Sequence, residues 1–202
     1  HVSGLLLAGD TLDVFVCHFP SRSGGAKESE PYRLYVAHIL RTEVDSIMNI
    51  RSHPQVIIMG DFNDYPTNQS IQKVLEAEAP PITVPKPAST LNSTNPSTIV
   101  PSSLKLYHLL ARKAKSKNFG SYKFRGEWGL LDHLIVSGTL LNQSNHFFTS
   151  EEKANVCLLP FLLKDDEKYG DKEPFRTYKG MKYQGGISDH LPIYTDFELI
   201  VY

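Results

Sequence analysis

Four short polar clusters punctuate the apolar runs of this chain, and their placement constrains its fold more than any other feature. They are Cys17-His18-Phe19-Pro20-Ser21-Arg22, Gly60-Asp61-Phe62-Asn63-Asp64, Leu131-Asp132-His133 and Ser188-Asp189-His190-Leu191-Pro192. Each follows or sits within an apolar run, so acids, amides and imidazoles collect at the ends of extended segments rather than along helix faces. The apolar runs read as strands. Thr11–Phe19 is β-rich and is expected to be buried on both faces towards its end. Val56-Ile57-Ile58-Met59, bounded by Pro54 and Gly60, suits a central strand.

Between these two runs, Leu34, Ala37, Leu40, Val44, Ile47 and Met48 fall at helical spacing. With Pro31 in the first turn, residues 31–50 are expected to form an amphipathic helix packed on a sheet. Thr67 is suited to cap a short helix reaching about Ala77. Ser102 or Ser103 is suited to cap another, with Leu106, Leu109 and Leu110 on one face. Ser121–Phe124 and Leu130–Val136 read as a hairpin across Gly126–Gly129, and Pro192–Ile200 as a closing strand with alternating burial. Residues 79–101 and 164–187 lack periodicity and read as long surface loops. The expected class is α/β or α+β, built around sheets.

Composition sets limits on partners. The 202 residues carry 21 basic and 22 acidic side chains, a formal net charge of -1, which gives no global attraction for nucleic acid. The one basic stretch runs through Arg112, Lys113, Lys115, Lys117, Lys123 and Arg125 and reads mainly as a solvated helix end. No run approaches the roughly 18 apolar residues needed to span a bilayer. The chain opens at His1-Val2-Ser3 without an initiator methionine, which leaves room for an export signal upstream. Cys17 and Cys157 do not form a disulfide framework, and no Cys/His spacing of the zinc-finger kind occurs. A monomer is expected.

The clusters suit a hard, oxygen-ligated cation beside a phosphate, with histidine handling the proton. Asp61 and Asn63, two apart on an extended segment, point the same way, the acid orienting water and the amide donating to a phosphoryl oxygen. Adjacent Asp189 and His190 suit two neighbouring tasks, metal ligation and acid/base work. Each cluster alone is weak: Gly-Asp-Phe-Asn-Asp is also an Asx turn, and His18 in an apolar strand is also a satisfied core histidine.

Their order carries more weight. Gly-Asp-Phe-Asn after an apolar strand, Leu-Asp-His within another, Ser-Asp-His-Leu-Pro before a final strand, and His18 at a strand end resemble the endonuclease/exonuclease/phosphatase superfamily from about residue 10 onward. The resemblance implies a two-sheet β-sandwich flanked by helices (four layers, αββα) and Mg²⁺- or Mn²⁺-assisted cleavage of phosphate esters. It implies His190 as general acid/base, oriented by the Asp132 carboxylate, and Asp189 as metal ligand. Asp61 would position the nucleophilic water, Asn63 would bind phosphate, and His18 would contact phosphate or the leaving group. Whether Asp61 or His190 takes the water's proton stays open. The acid/base role needs a fixed imidazole, so a hydrogen bond between Asp132 and His190 is expected.

Around these motifs, Arg22 is placed either over a phosphate or in solvent. Arg125-Gly126-Glu127-Trp128 resembles a segment of uncharacterised bacterial members, which makes Arg125 and Trp128 substrate-binding candidates, with core packing the alternative for Trp128. Two parts of the superfamily pattern have no counterpart: the asparagine of a first strand and a metal-binding glutamate. A whole domain needs on the order of 250 residues, so residues 1–202 are expected to be a partial domain lacking its first strands, with weak metal binding and impaired turnover. The substrate class stays open among small phosphoesters, lipids and nucleic acid. A nuclease specifically, or a non-catalytic binding domain that kept the fold, are the alternatives. The 164–187 loop, leading directly into Asp189, is expected to border the cleft.

Overall fold

Three apolar runs form the centre of the fold, in a computed structural model that describes residues 1–7, 9–82 and 101–200. Strand β1 (Val2–Leu5) pairs antiparallel with β2 (Thr11–His18), and β2 runs parallel to β3 (Gln55–Asp61) after a crossover through helix α1 (Glu30–Ile50). Strand β4 is Leu106–His108, β5 Tyr122–Phe124, β6 Glu127–Gly129 and β7 Asp132–Ser137. The main sheet has the order β1-β2-β3-β7-β4, with β7 antiparallel to both β3 and β4.

β3 is the central strand, and its alternation splits the apolar residues between two cores. Val56 and Ile58 face one side with Phe15, Ala37, Leu40, Val44, Ile47, Ile71 and Leu75, beneath α1 and a π-helical turn at Ser70–Val74. Ile57 faces the other with Leu109, Leu110, Leu130, Leu134, Val136, Leu140, Val156 and Leu191. Short strands follow: β8 (Phe147–Phe148), β9 (Asn155–Val156), β10 (Leu163–Asp165), β11 (Lys172–Pro174), β12 (Tyr178–Lys179), β13 (Lys182–Tyr183), β14 (Ile193–Tyr194) and β15 (Glu198–Leu199), of which β8, β9, β10 and β14 bring Phe147, Val156, Leu163 and Ile193 to that second core. They pair antiparallel as β10–β11, β12–β13, β14–β9 and β15–β8. The class is mixed α/β.

Helix α1 matches its apolar spacing with one exchange. The buried stripe is Arg33, Ala37, Leu40, Val44, Ile47 and Met48, so Arg33 takes the place expected of Leu34. Its Nε lies 2.7 Å from Asp64 Oδ1, while its other nitrogens donate to Ser29 Oγ at 2.7 Å and to the Ala26 carbonyl at 2.8 Å. Partners for charge and donors are what allow a guanidinium at the first turn of an apolar face.

Six expectations are corrected. The end of β2 is not buried on both faces: Phe15 and Phe19 enter the core beneath α1, while Val16, 70% exposed, and His18 lie on the strand's open face. The helix expected from Ser102 is instead strand β4, paired to β7, with turns after it. Strand β5 does not pair with Leu130–Val136. It turns back through Arg125 (φ 53) and Gly126 (φ 86) onto β6. Two positive-φ residues match the twist of a tight hairpin, and this frees β7 for the main sheet. The closing segment is two short strands, β14 and β15, each with a different partner. Residues 164–187 hold hairpins rather than an irregular loop. The expected excursion at 79–101 lies largely outside the described residues. Thr67 precedes a π-helical turn in place of a regular helix.

Candidate active site

Register alone brings three of the polar clusters together. In the β2–β3 pairing His18 sits beside Asp61, and in the β3–β7 pairing Asp61 sits beside Asp132. Three neighbouring strands thus end on His18, Asp61 and Asp132 in one row. The close approach of β2 and β3 depends on Gly60, which has φ +130; a Cβ there would lie 2.0 Å from the Cys17 carbonyl oxygen. Only glycine fits both the angle and the space.

The fourth cluster arrives through the β5 strand. Tyr122 bridges to His190, and the Leu191 N–H donates to the Ser121 carbonyl at 2.7 Å. This sets the imidazole against the row: His190 Nδ1 lies 2.6 Å from Asp132 Oδ2, the hydrogen bond expected from the sequence. Asp132 Oδ2 also accepts from Ser121 Oγ at 2.5 Å. The Tyr122 ring lies against the imidazole, centroids 4.9 Å apart.

Charge around His190 sets its protonation. Burial pulls the imidazole down, but the Asp132 hydrogen bond and the charges of Asp132, Asp61 and Asp189 outweigh it and hold His190 above its ordinary value. Burial pushes the Asp61 carboxyl up, against the lowering pull of the Asn63 N–H and His190. Asn63, in the left-handed region at φ 50, donates its N–H to Asp61 Oδ1 at 2.8 Å. Its side-chain amide donates to the Phe19 carbonyl at 3.0 Å and to Asp61 Oδ2 at 3.3 Å. His18 Nε2 is 3.7 Å from Asp61 Oδ2.

A second histidine pair supports the loop after β3. His133 and His108 are fully buried, with His108 Nε2 2.5 Å from His133 Nδ1. The Leu110 N–H donates to His108 Nδ1 at 3.1 Å, so His108 carries its proton on Nε2 and donates to His133. His133 must then donate from Nε2 to the Asp64 carbonyl, 2.8 Å away. Burial holds both rings neutral, His133 at about 4 and His108 well below its ordinary value.

Asp61, Asn63, Asp132, His190 and His18 are therefore joined by contact. Asp189 is exposed, next in the chain to His190 and acting electrostatically on it. Arg22 lies over the Tyr65 ring, 4.7 Å from its centroid, and Arg125 over Phe124 at 5.2 Å. Trp128 packs against the second core, with the Lys123 ammonium 5.9 Å from its ring. The 164–187 segment sits beside β5: the buried Lys123 pairs with Asp166 at 3.1 Å and donates to the carbonyls of Gly170 and Lys172. From it, Arg176 acts on the Tyr122 phenol. Sequence reasoning missed Ser121, Tyr122, Tyr65 and Arg176, for which no spacing gave a signal.

Asp61, Asp132 and His190 each offer a ligand atom within 4.8 Å of the others, a grouping able to hold a cation. Asp132 Oδ2 is already committed to His190 and Ser121, and Asp189 lies outside this grouping. A partly buried carboxylate with a raised pKa, such as Asp61, gains from a nearby cation.

A mixed α/β sheet with an Asp–His pair and a second carboxylate at its strand ends is the class that fold and site define. The model of the Endonuclease/Exonuclease/phosphatase family matches residues 1–199, and the chain belongs to that family. Among curated proteins, none matches the chain significantly. Solved structures it resembles include a mannosyl-6-phosphatase of Bacteroides thetaiotaomicron VPI-5482 (15% identity, 94% of this chain and 52% of that one, TM-score 0.49). A family protein from Bacteroides thetaiotaomicron (14%, 96% and 52%, 0.48) and the human Nocturnin catalytic domain (17%, 96% and 49%, 0.45) are similarly related. The chain spans about half the length of these structures. Among the described residues, no helix is long and apolar enough to cross a membrane.

Proposed function

We propose that this chain carries the acid/base half of a metal-assisted phosphoesterase site, in which water attacks phosphorus and a phosphate ester bond is broken. The observation that carries this reading is the Asp132–His190 hydrogen bond of 2.6 Å beside Asp61. A carboxylate on Nδ1 fixes the tautomer and leaves Nε2 to exchange a proton with water or with the departing oxygen. Asp61 is the second candidate to receive the water's proton, and Asn63 keeps that carboxylate in place with two donors. His18 extends the row towards the phosphate or the leaving group.

Asp189 would supply a carboxylate to the ion, Mg²⁺ or Mn²⁺. When bound, it would offset charge on the phosphoryl oxygens. A single carboxylate is the lower end of what Mg²⁺ takes, so its affinity for these 202 residues is weak and turnover slow. The reading includes the four-layer αββα arrangement, of which the main sheet would be one central layer. The test is hydrolysis of a chromogenic phosphomonoester and phosphodiester at saturating Mg²⁺, with and without chelator, by the chain and its His190→Ala variant. Chelator-sensitive turnover lost in His190→Ala supports the reading. Equal turnover by both proteins contradicts the role of His190, and none by either contradicts the reading and leaves the non-catalytic binding domain.

A further inference from the structure

The arginines of this chain divide into two groups. Arg33, Arg41, Arg51 and Arg112 are each neutralised by a carboxylate, from Asp64 at 2.7 Å, Asp45 at 2.9 Å, Asp13 at 3.3 Å and Glu151 respectively. Arg22, Arg125 and Arg176 have no carboxylate within 4.0 Å among the described residues, and residues 83–100 contribute no Asp or Glu side chain. All three lie along β5 and its neighbours, where the catalytic histidine sits. Arg125 is exposed on a turn, where water satisfies it. Arg22 and Arg176 differ: each has an Nε shielded from solvent with no hydrogen-bond partner. A shielded guanidinium donor with no acceptor is a destabilised group, and an oxyanion matches it best, since the planar fork donates to two oxygens at once.

Contacts place both guanidiniums on one wall. Arg22 covers Tyr65; the Tyr65 ring packs on Gly129, where a Cβ would come within 2.6 Å of it. Gly129 is the strand partner of Tyr122, and Tyr122 lies against His190. Arg176 lies across from Gly186, where a Cβ would come within 2.7 Å of the Arg176 carbonyl oxygen, and the Ile187 N–H donates to the Phe175 carbonyl at 2.7 Å. Arg176 is thus held beside the segment that leads into Asp189 and His190, and its charge acts on the Tyr122 hydroxyl.

We propose that Arg22 and Arg176 form a two-guanidinium anion site beside the Asp132–His190 pair, which selects phosphomonoesters over phosphodiesters. The inference rests on the phosphoesterase reading and adds the substrate class. A monoester phosphate is largely dianionic at neutral pH and presents three terminal oxygens; a diester carries one charge and two free oxygens. Two unneutralised guanidiniums reward the second charge, and only the monoester has oxygens for both forks.

Calorimetric titration of the full chain with inorganic phosphate reads the site without turnover. Arg22→Met and Arg176→Met are each expected to weaken phosphate binding about 10-fold or more, and Lys variants at the same positions less. With p-nitrophenyl phosphate and its bis ester, the Met variants should lose about 10-fold more in kcat/KM on the monoester, mainly through KM. Unfolding midpoints confirm that each variant is folded. Phosphate binding insensitive to both arginines overturns the proposal, even if ester hydrolysis is observed. Arginine-dependent phosphate binding without any hydrolysis leaves the anion site standing and removes the phosphoesterase reading.

Discussion

His190 and Asp132 lie 58 positions apart in the chain, yet Nδ1 of one meets Oδ2 of the other at 2.6 Å. Replacing Asp132 by Asn keeps the shape but exchanges a charged acceptor for a weaker amide, and removes the charge that favours the imidazolium. Asp132→Asn is therefore expected to lower kcat by roughly 10²–10⁴ while shifting the unfolding midpoint little. Steady-state kinetics beside thermal unfolding check this. A variant with unchanged kcat would make the pair structural.

Asn63 tests whether its amide serves Asp61 or only the turn. Its φ of 50 suits Asn or Gly. Asn63→Gly should keep the backbone and the N–H bond to Asp61 but lose the donors to Phe19 and Asp61. The expected result is stability close to the parent and a kcat lower by about 10–100-fold, on the scale of one lost charge-assisted hydrogen bond. Equal losses of stability and rate would assign the amide to the turn.

The buried His108–His133 pair makes stability depend on pH. Both rings are neutral in the folded chain, with His133 at about 4, and both take up protons more readily once unfolded. Between about 4 and 6.5 the unfolded state therefore binds more protons, and stability rises with pH. It is fully present above about 6.5 and falls as the pH drops through that window, with His133 alone worth about 3 kcal/mol at the low end. Urea titrations from pH 7 to pH 4 should show this slope, and a His108→Phe, His133→Phe double variant should flatten it. An unchanged slope in that variant would contradict the assignment.

Arg33 and Asp64 form the other buried commitment. Asp64→Ala leaves the guanidinium charged under α1 and removes the acceptor for Ser70 Oγ, 2.7 Å away. A loss of about 3–5 kcal/mol in chemical denaturation is expected, with Arg33→Met costing a similar amount. Because replacing a buried pair with apolar groups is often neutral, the double variant Arg33→Met, Asp64→Leu should recover much of the loss. Additive losses would mean that the two residues act independently.

What the sequence revealed followed from local periodicity. The β2–α1–β3 unit is legible because each element has its own apolar pattern, and the site is legible because each polar cluster lies at or beside a strand terminus. The β4 segment misled because Leu106, Leu109 and Leu110 have helical spacing; pairing with β7 and the His108–His133 bond outweigh it. The partner of β5 was misread because the Arg125-Gly126 turn is shorter than the one assumed. Tyr122, Ser121 and Arg176 were invisible because their roles arise from neighbours more than ten positions away, set by the packing of short hairpins.

The most direct test of the account is hydrolysis of a phosphomonoester in ¹⁸O-labelled water at saturating Mg²⁺, comparing the chain with His190→Ala. Water attack on phosphorus places one solvent oxygen in the released phosphate, and His190 must move a proton for the reaction to proceed. The predicted result is singly labelled phosphate from the chain, formed at least about 100-fold more slowly by His190→Ala. Unlabelled phosphate, or the same rate from both proteins, would contradict it.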